Sequence, residues 1–181
     1  MSRLAWLNAL AEREAQVELA RCCGSKAWAE AMTKSRPFAD ERALTTIADE
    51  LWWQLSPSDW LEAFAAHPRI GNKSDVRRQE GAAKTWAEGE QAGADAANDA
   101  TRAALAAANA DYERKFGHIY IVCATGKSAE EMLALCRARL GNTGADELRV
   151  AAEEQRKITR LRLDKLLGAP PTRHGKEEPT A

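Results

Sequence analysis

Phe116-Gly117-His118-Ile119-Tyr120-Ile121-Val122-Cys123 is the one stretch of this sequence that reads as extended apolar chain. A strand needs a ladder partner, and no second run of this kind is there to supply one, so no sheet is founded on it. The remainder reads as helix. Ala, Leu, Glu, Arg and Lys dominate, and the Val/Ile/Thr alternation of strands is missing. The expected fold is all-α, a single-domain bundle of about seven to nine helices.

Downstream of that run, Thr125-Gly126-Lys127-Ser128 punctuates the chain, and Ser128 with Glu131 makes a capping box. The helix it starts carries Met132, Leu133, Leu135, Cys136 and Leu140, and Gly141-Asn142 closes it. A last helix spans about Asp146 to Leu167, with Ile158, Leu161, Leu163 and Leu166 inward. Residues 169–181, with Pro170-Pro171 and a sparse charged end, are expected to form a disordered tail behind a helical domain over 1–168.

Upstream, Arg77 to Phe116 is helical in composition with a break near Gly89 or Gly93. Its Ala-rich part, Asp95 to Ala110, must pack closely or lie on the surface. Leu4 to Arg21 reads as one helix with Leu4, Leu7, Leu10, Val17 and Leu19 along a stripe. Ser25 caps a short helix with Trp28 and Met32, which Arg36-Pro37-Phe38 ends. Asp40 to Leu55 is a third helix. Ser56-Pro57-Ser58-Asp59 starts a fourth, with Ser56 as N-cap, Pro57 first in the helix and Asp59 closing the box. His67-Pro68 cuts it, and Arg69 to Val76 reads as loop.

The charge balance excludes several classes of function. Among 181 residues, 26 Lys+Arg stand against 27 Asp+Glu, which leaves no basic face for nucleic acid and no polybasic membrane patch. No apolar run reaches the ~18 residues of a membrane span, and Arg3 is not followed by a signal-peptide core. The ending Pro179-Thr180-Ala181 is not a peroxisomal address, so the expected location is the cytoplasm. Four cysteines occur without a C-x-x-C pair, which excludes a zinc knuckle and favours buried free thiols over a vicinal Cys22-Cys23 redox pair.

Few residues carry chemistry on their own. The three histidines, His67, His118 and His174, have no metal-ligand spacing. Gly126-Lys127-Ser128 shares the end of a phosphate-binding loop, but Ile121 stands where its first glycine belongs, so the capping reading of Ser128 wins. His67, at a helix end and followed by Pro68, is a candidate acid or base near neutral pH. The plain alternative is a histidine that complements the helix dipole. Glu90-Gln91 lies among small residues, which suits a pocket wall or tight packing, with a solvated Glu the commoner case. Arg160 and Arg162 flank an apolar position, so one should face solvent while the other reaches inward to a carboxylate.

Taken together, His67-Pro68-Arg69-Ile70-Gly71, Glu90-Gln91-Ala92-Gly93 and Phe116-Gly117 through Gly126-Lys127-Ser128 resemble 2-oxo-4-hydroxy-4-carboxy-5-ureidoimidazoline (OHCU) decarboxylases of purine degradation. Cys22-Cys23-Gly24-Ser25 with Trp28, Arg36-Pro37-Phe38, and Lys157-Ile158 with Leu161-Arg162-Leu163 extend the resemblance over about Leu4 to Leu167. It implies an all-α homodimer that turns OHCU into (S)-allantoin without metal or organic cofactor, with urate oxidase and hydroxyisourate hydrolase as pathway neighbours. It further implies His67 and Glu90 as the catalytic pair, with Pro68, Gln91 and the backbone of Ile119, Tyr120, Ile121 and Val122 lining the substrate. Arg162 is the implied anchor of the substrate and Arg160 the fallback. The sequence departs from the family at Ala87, where a serine is usual, and at His118 and Tyr120, where Phe is common. Two other readings stay open: a non-catalytic helical binding module, and a decarboxylase for a related ureido acid.

Overall fold

The structure, a computed structural model, describes residues 2–72, 75, 81–90, 92–95 and 97–168, so the expected tail over 169–181 lies outside the described residues. These residues form ten helices: α1 (Arg3–Ala9), α2 (Glu12–Cys22), α3 (Lys26–Lys34), α4 (Glu41–Gln54), α5 (Pro57–Ala65), α6 (Gly81–Glu90), α7 (Ala92–Asp95), α8 (Asp99–Phe116), α9 (Ala129–Arg139) and α10 (Gly144–Leu167). No described residue is in a strand, and no described helix is long and apolar enough to cross a membrane. The fold is all-α, as the isolation of the 116–123 run implies.

Several boundaries follow from local capping chemistry. Ser56 Oγ accepts from the Asp59 N–H while the Asp59 carboxylate accepts from the Ser56 N–H, and Ser128 and Glu131 do the same at the start of α9. Gly117 ends α8 at φ 74°, a left-handed position that costs a glycine nothing. One boundary is not local. The predicted helix over Leu4 to Arg21 is two helices broken at Leu10-Ala11, and Val17 is 49% exposed rather than on the inner stripe. Arg36 Nη1 donates to both the Leu7 and Leu10 carbonyls at 2.8 Å, satisfying the end of α1 from a residue beyond α3.

The break at Leu10-Ala11 adds one helix to the reading of the N-terminal stretch. Gly93 explains why α7 lies where it does. A β-carbon there would sit 1.9 Å from the Lys127 carbonyl oxygen, so only glycine allows α7 this close to the 125–128 turn.

Two hydrophobic clusters make up the core. One gathers α1 to α5 around α10, with Trp28, Trp52 and Phe64 inside. Each buried indole there has an acceptor: Trp28 Nε1 donates to Ala48 O and Trp52 Nε1 to Ala152 O, both at 3.0 Å. The other cluster joins α8 and α9 through Leu105, Tyr112, Met132 and Cys136. The extended segment lies between them. Ile121 and Cys123 belong to the first cluster, while Tyr120, Val122 and Ala124 belong to the second. A period-two chain buried on both faces therefore reads as one continuous apolar run. All four cysteines are free and buried, and burial pushes the Cys23 thiol up to about 11, so Cys22-Cys23 holds no reactive thiolate at neutral pH.

Gly93→Ala should destabilise the protein by roughly 1–3 kcal/mol, because backbone must yield to the new methyl. Gly89→Ala, with nothing within 4 Å of its β-carbon, should be neutral or stabilising by up to ~1 kcal/mol. Urea denaturation of the two variants checks the contrast.

Candidate active site

The C-terminal end of α5 delivers the first functional side chain. Ala66 closes the helix, the His67 N–H donates to Phe64 O at 3.0 Å, and Pro68 stops any continuation. The segment that follows is tied to α8. Arg69 makes a two-pronged contact with Glu113 (Nε–Oε1 2.7 Å, Nη2–Oε2 3.0 Å) and a third with Asp75 at 3.1 Å. Asn109 Nδ2, on the buried face of α8, donates to Ile70 O at 3.0 Å. His67, Pro68 and Ile70 are thereby held at the seam between the two clusters.

A narrow cavity opens at this seam, with His67, Pro68 and Ile70 on one wall and Ala87 and Glu90 of α6 on another. Tyr120, Ile121 and Val122 line it from the extended segment. Ile119 packs against the first cluster and does not line it. Gln91 lies outside the described residues. His118 stacks among Phe64, Tyr112 and Phe116 rather than in the cavity. A wider cleft of about 740 Å³ between the 69–72 turn and α8 shares only Ile70 with it.

The extended segment keeps its position through side chains. Arg139 Nη1 donates to Ile121 O at 2.8 Å, Glu154 Oε2 accepts from the Cys123 N–H at 2.7 Å, and Lys127 Nζ donates to Cys123 O at 2.7 Å. Arg139 is itself fixed by Glu147, which is fully buried and accepts from its Nε at 2.8 Å and from the Tyr112 hydroxyl. Sequence reasoning missed Arg139, Glu147 and Glu154. They are ordinary helix-surface residues in sequence, and only the tertiary arrangement turns them onto a backbone.

Glu90 ends α6 and is 8% exposed. Arg162 of α10 grips it bidentately (Nε–Oε1 3.1 Å, Nη2–Oε2 2.9 Å), and Lys165 adds a contact to Oε1 at 3.1 Å. Burial alone would raise the Glu90 pKa, but the Arg162 hydrogen bonds and the charges of Arg162 and Lys165 outweigh it and hold the carboxylate ionised. Of the two arginines weighed from sequence, Arg162 turns inward onto this carboxylate. Arg160 turns instead to Asp49 of α4 (Nε–Oδ1 3.0 Å), a residue it shares with Arg156.

His67 keeps some surface on the cavity, but its Nε2 is sealed from solvent and has no hydrogen-bond partner. Burial, and then the positive charge of Arg162, push its pKa down from 6.5 to about 4, against the opposing pull of Glu90. The imidazole is therefore neutral at pH 7, beside a carboxylate that stays charged. Two cations against one carboxylate leave the site with an excess of positive charge. Such a pocket suits a small anionic molecule and offers a neutral nitrogen for moving a proton. Among the described residues no group of three or more His, Cys, Asp or Glu is arranged to hold a metal ion.

The all-α fold thus sets the buried Glu90–Arg162 pair beside a cavity that His67 and Glu90 line. The family model for OHCU decarboxylase matches residues 8–164. The chain is 31% identical over 144 residues to the 2-oxo-4-hydroxy-4-carboxy-5-ureidoimidazoline decarboxylase of Amia calva, covering 80% of this chain and 82% of that protein. It is 41% identical over 146 residues to the uric acid degradation bifunctional protein TTL of Arabidopsis thaliana, where the match covers 80% of this chain but only 45% of the relative's length. A crystal structure of OHCU decarboxylase obtained in the presence of (S)-allantoin superposes with a TM-score of 0.70 at 36% identity, covering 83% of this chain and 97% of that one. The chain belongs to the OHCU decarboxylase family, a family of carboxy-lyases.

Two outcomes follow for stability. Glu90→Gln leaves Arg162 buried without its counter-charge and should cost about 3 kcal/mol. Asp49→Asn should cost only about 1 kcal/mol, because Arg156 keeps Glu153 at 2.6 Å. The depressed His67 pKa has a defined sign. As pH falls, the unfolded chain takes up the proton first, so the contribution is complete above about 6.5 and lost as pH falls through about 4. It amounts to about 3 kcal/mol at most, and His67→Gln should flatten that part of the urea-denaturation profile between pH 6.5 and 4.

Proposed function

We propose that this chain decarboxylates OHCU to (S)-allantoin in urate degradation, with His67 and Glu90 handling protons and Arg162 anchoring the substrate. The observation that carries the reading is the buried Glu90–Arg162 pair, with Lys165 beside it, set against a neutral His67 at the cavity that His67 and Glu90 line. The likeness, at 36% identity, to an OHCU decarboxylase crystallised in the presence of (S)-allantoin supports it.

The excess positive charge of the cluster attracts one substrate carboxylate, and the Arg162 guanidinium orients it through its remaining N–H groups. On reaction, the C–C bond to that carboxylate breaks and CO₂ leaves. The electron pair passes into the adjacent ring C=N, whose nitrogen takes up a proton. The resulting enol becomes a carbonyl as its hydroxyl proton departs and the neighbouring carbon is protonated. Neutral His67 accepts the hydroxyl proton, and delivery of a proton to one face of the carbon sets the (S) configuration. Glu90, held ionised by its two cations, opposes the departure of protons from the imidazolium formed in that step. Backbone N–H groups of the cavity-lining Tyr120 to Val122 stabilise the developing charge in this scheme.

The reading extends to a cytoplasmic homodimer that acts with urate oxidase and hydroxyisourate hydrolase. The pathway placement is supported by the bifunctional uric acid degradation protein among the relatives.

Fresh OHCU, generated in situ from urate, should give a growing circular dichroism signal of (S)-allantoin when the protein is added. His67→Ala and Glu90→Gln should each lower the rate by ~10²-fold or more. Decay to optically inactive product at the uncatalysed rate would overturn the reading.

A further inference from the structure

A glutamine in the middle of α10 has no role in the scheme above. Gln155 is fully buried, on the same helix face as Ala151, Ala152 and Ile158, where a leucine would satisfy packing. It does not line the cavity. A buried primary amide is costly unless both of its ends are partnered, so its presence needs a polar reason.

One end is accounted for. The Thr159 hydroxyl donates to the Gln155 main-chain carbonyl at 3.0 Å, one turn back along α10. The Thr159 proton serves that carbonyl and the neighbouring Cys23 sulfur, so toward the glutamine side chain Oγ1 acts as acceptor, from Gln155 Nε2 at 3.2 Å. That fixes the amide orientation, with NH₂ toward Thr159 and Oε1 pointing away from it. Oε1 is buried and has no partner. The His67 imidazole interacts with the Gln155 side chain, and its Nε2 is buried and without a partner as well. Two neighbouring side chains thus each hold one unsatisfied buried atom. An acceptor that cannot be flipped into a donor meets a ring nitrogen that is a donor in only one neutral tautomer. Pairing the two would satisfy both atoms at once.

We infer that Gln155 is the positioning residue of the site: its Oε1 takes the Nε2 proton of His67, which leaves Nδ1 as the unprotonated nitrogen that accepts the substrate's proton. This rests on the reading of His67 as the proton-handling group. Thr159 acts one step further out, as the group that holds the amide the right way round. Glutamine differs from a carboxylate in this position. It sets the tautomer without adding charge, so it leaves the pairing of Glu90 with Arg162 and Lys165 undisturbed.

The test reads the tautomer directly, by long-range ¹H–¹⁵N correlation on protein labelled with ¹⁵N-histidine, with His67→Ala identifying the signals. At pH 7 the His67 Nε2 should resonate as a protonated, pyrrole-type nitrogen and Nδ1 as a pyridine-type one. In Gln155→Leu the two shifts should move toward each other as the tautomers mix. OHCU turnover should fall by ~10-fold, expressed in kcat more than in KM. Thr159→Val, which releases the amide to flip, should mix the tautomers in the same direction. A wild-type proton on Nδ1 overturns the inference, and so does a Gln155→Leu spectrum identical to wild type. The wild-type spectrum decides alone if leucine at this position prevents folding. Because the tautomer is read without substrate, failure of the decarboxylase reading would show as absent turnover with the Nε2–H tautomer intact.

Discussion

A stretch of extended backbone is buried on both faces, and among the described residues no strand lies beside it. Side chains from residue 120 to residue 124 alternate between the two hydrophobic clusters, so the segment joins them and neither cluster closes without it. Burial there removes water from peptide groups that in a sheet would bond to a neighbour. Arg139, Glu154 and Lys127 supply the missing ladder from helices and a turn. These contacts are charge-assisted, and therefore stronger than the neutral bonds they replace. Their cost is the burial of Arg139 and Glu147, met by mutual pairing and by the hydroxyl of Tyr112.

The cavity follows from the same arrangement. Two clusters meeting along an extended chain leave a seam, and the ends of α5 and α6 open onto it. At that seam the ordinary rule for charges is broken a second time. Glu90 and Arg162 sit out of water, where removing either would strand the other, and Lys165 joins them from a more exposed position. Packing alone gives no reason for such a cluster, and a fold tends to tolerate one where function requires it. Burial and then the charge of Arg162 lower the pKa of His67, while Glu90 stays ionised against its own burial because Arg162 and Lys165 outweigh it.

Much of the fold was legible because it is encoded locally. Ser56 with Asp59 and Ser128 with Glu131 mark helix starts by hydrogen bonds that span three residues, and both boxes form. His67 was legible as a helix-end residue pinned by Pro68. Arg162 and Arg160 illustrate where this stops. Their sequence surroundings are nearly alike, yet one meets Glu90 and the other Asp49, and the partners lie 72 and 111 residues away. The break at Leu10 is of the same kind, since the residue that ends α1 is Arg36, which carries no local mark of that task.

By itself the sequence determined that this protein is helical, where most of its helices begin and end, and, through the resemblance of its motifs, the family to which it belongs. Caps, prolines and apolar periodicity act over one or two turns, so they can be read in any stretch of chain. Which charged groups are buried together, what satisfies the extended segment, and that a buried glutamine of α10 neighbours the imidazole at the end of α5 were settled by packing between distant elements. Those outcomes depend on which surfaces lose their water when distant elements pack. The energy of a charge or an amide is set by that loss, and no local pattern of residues records it.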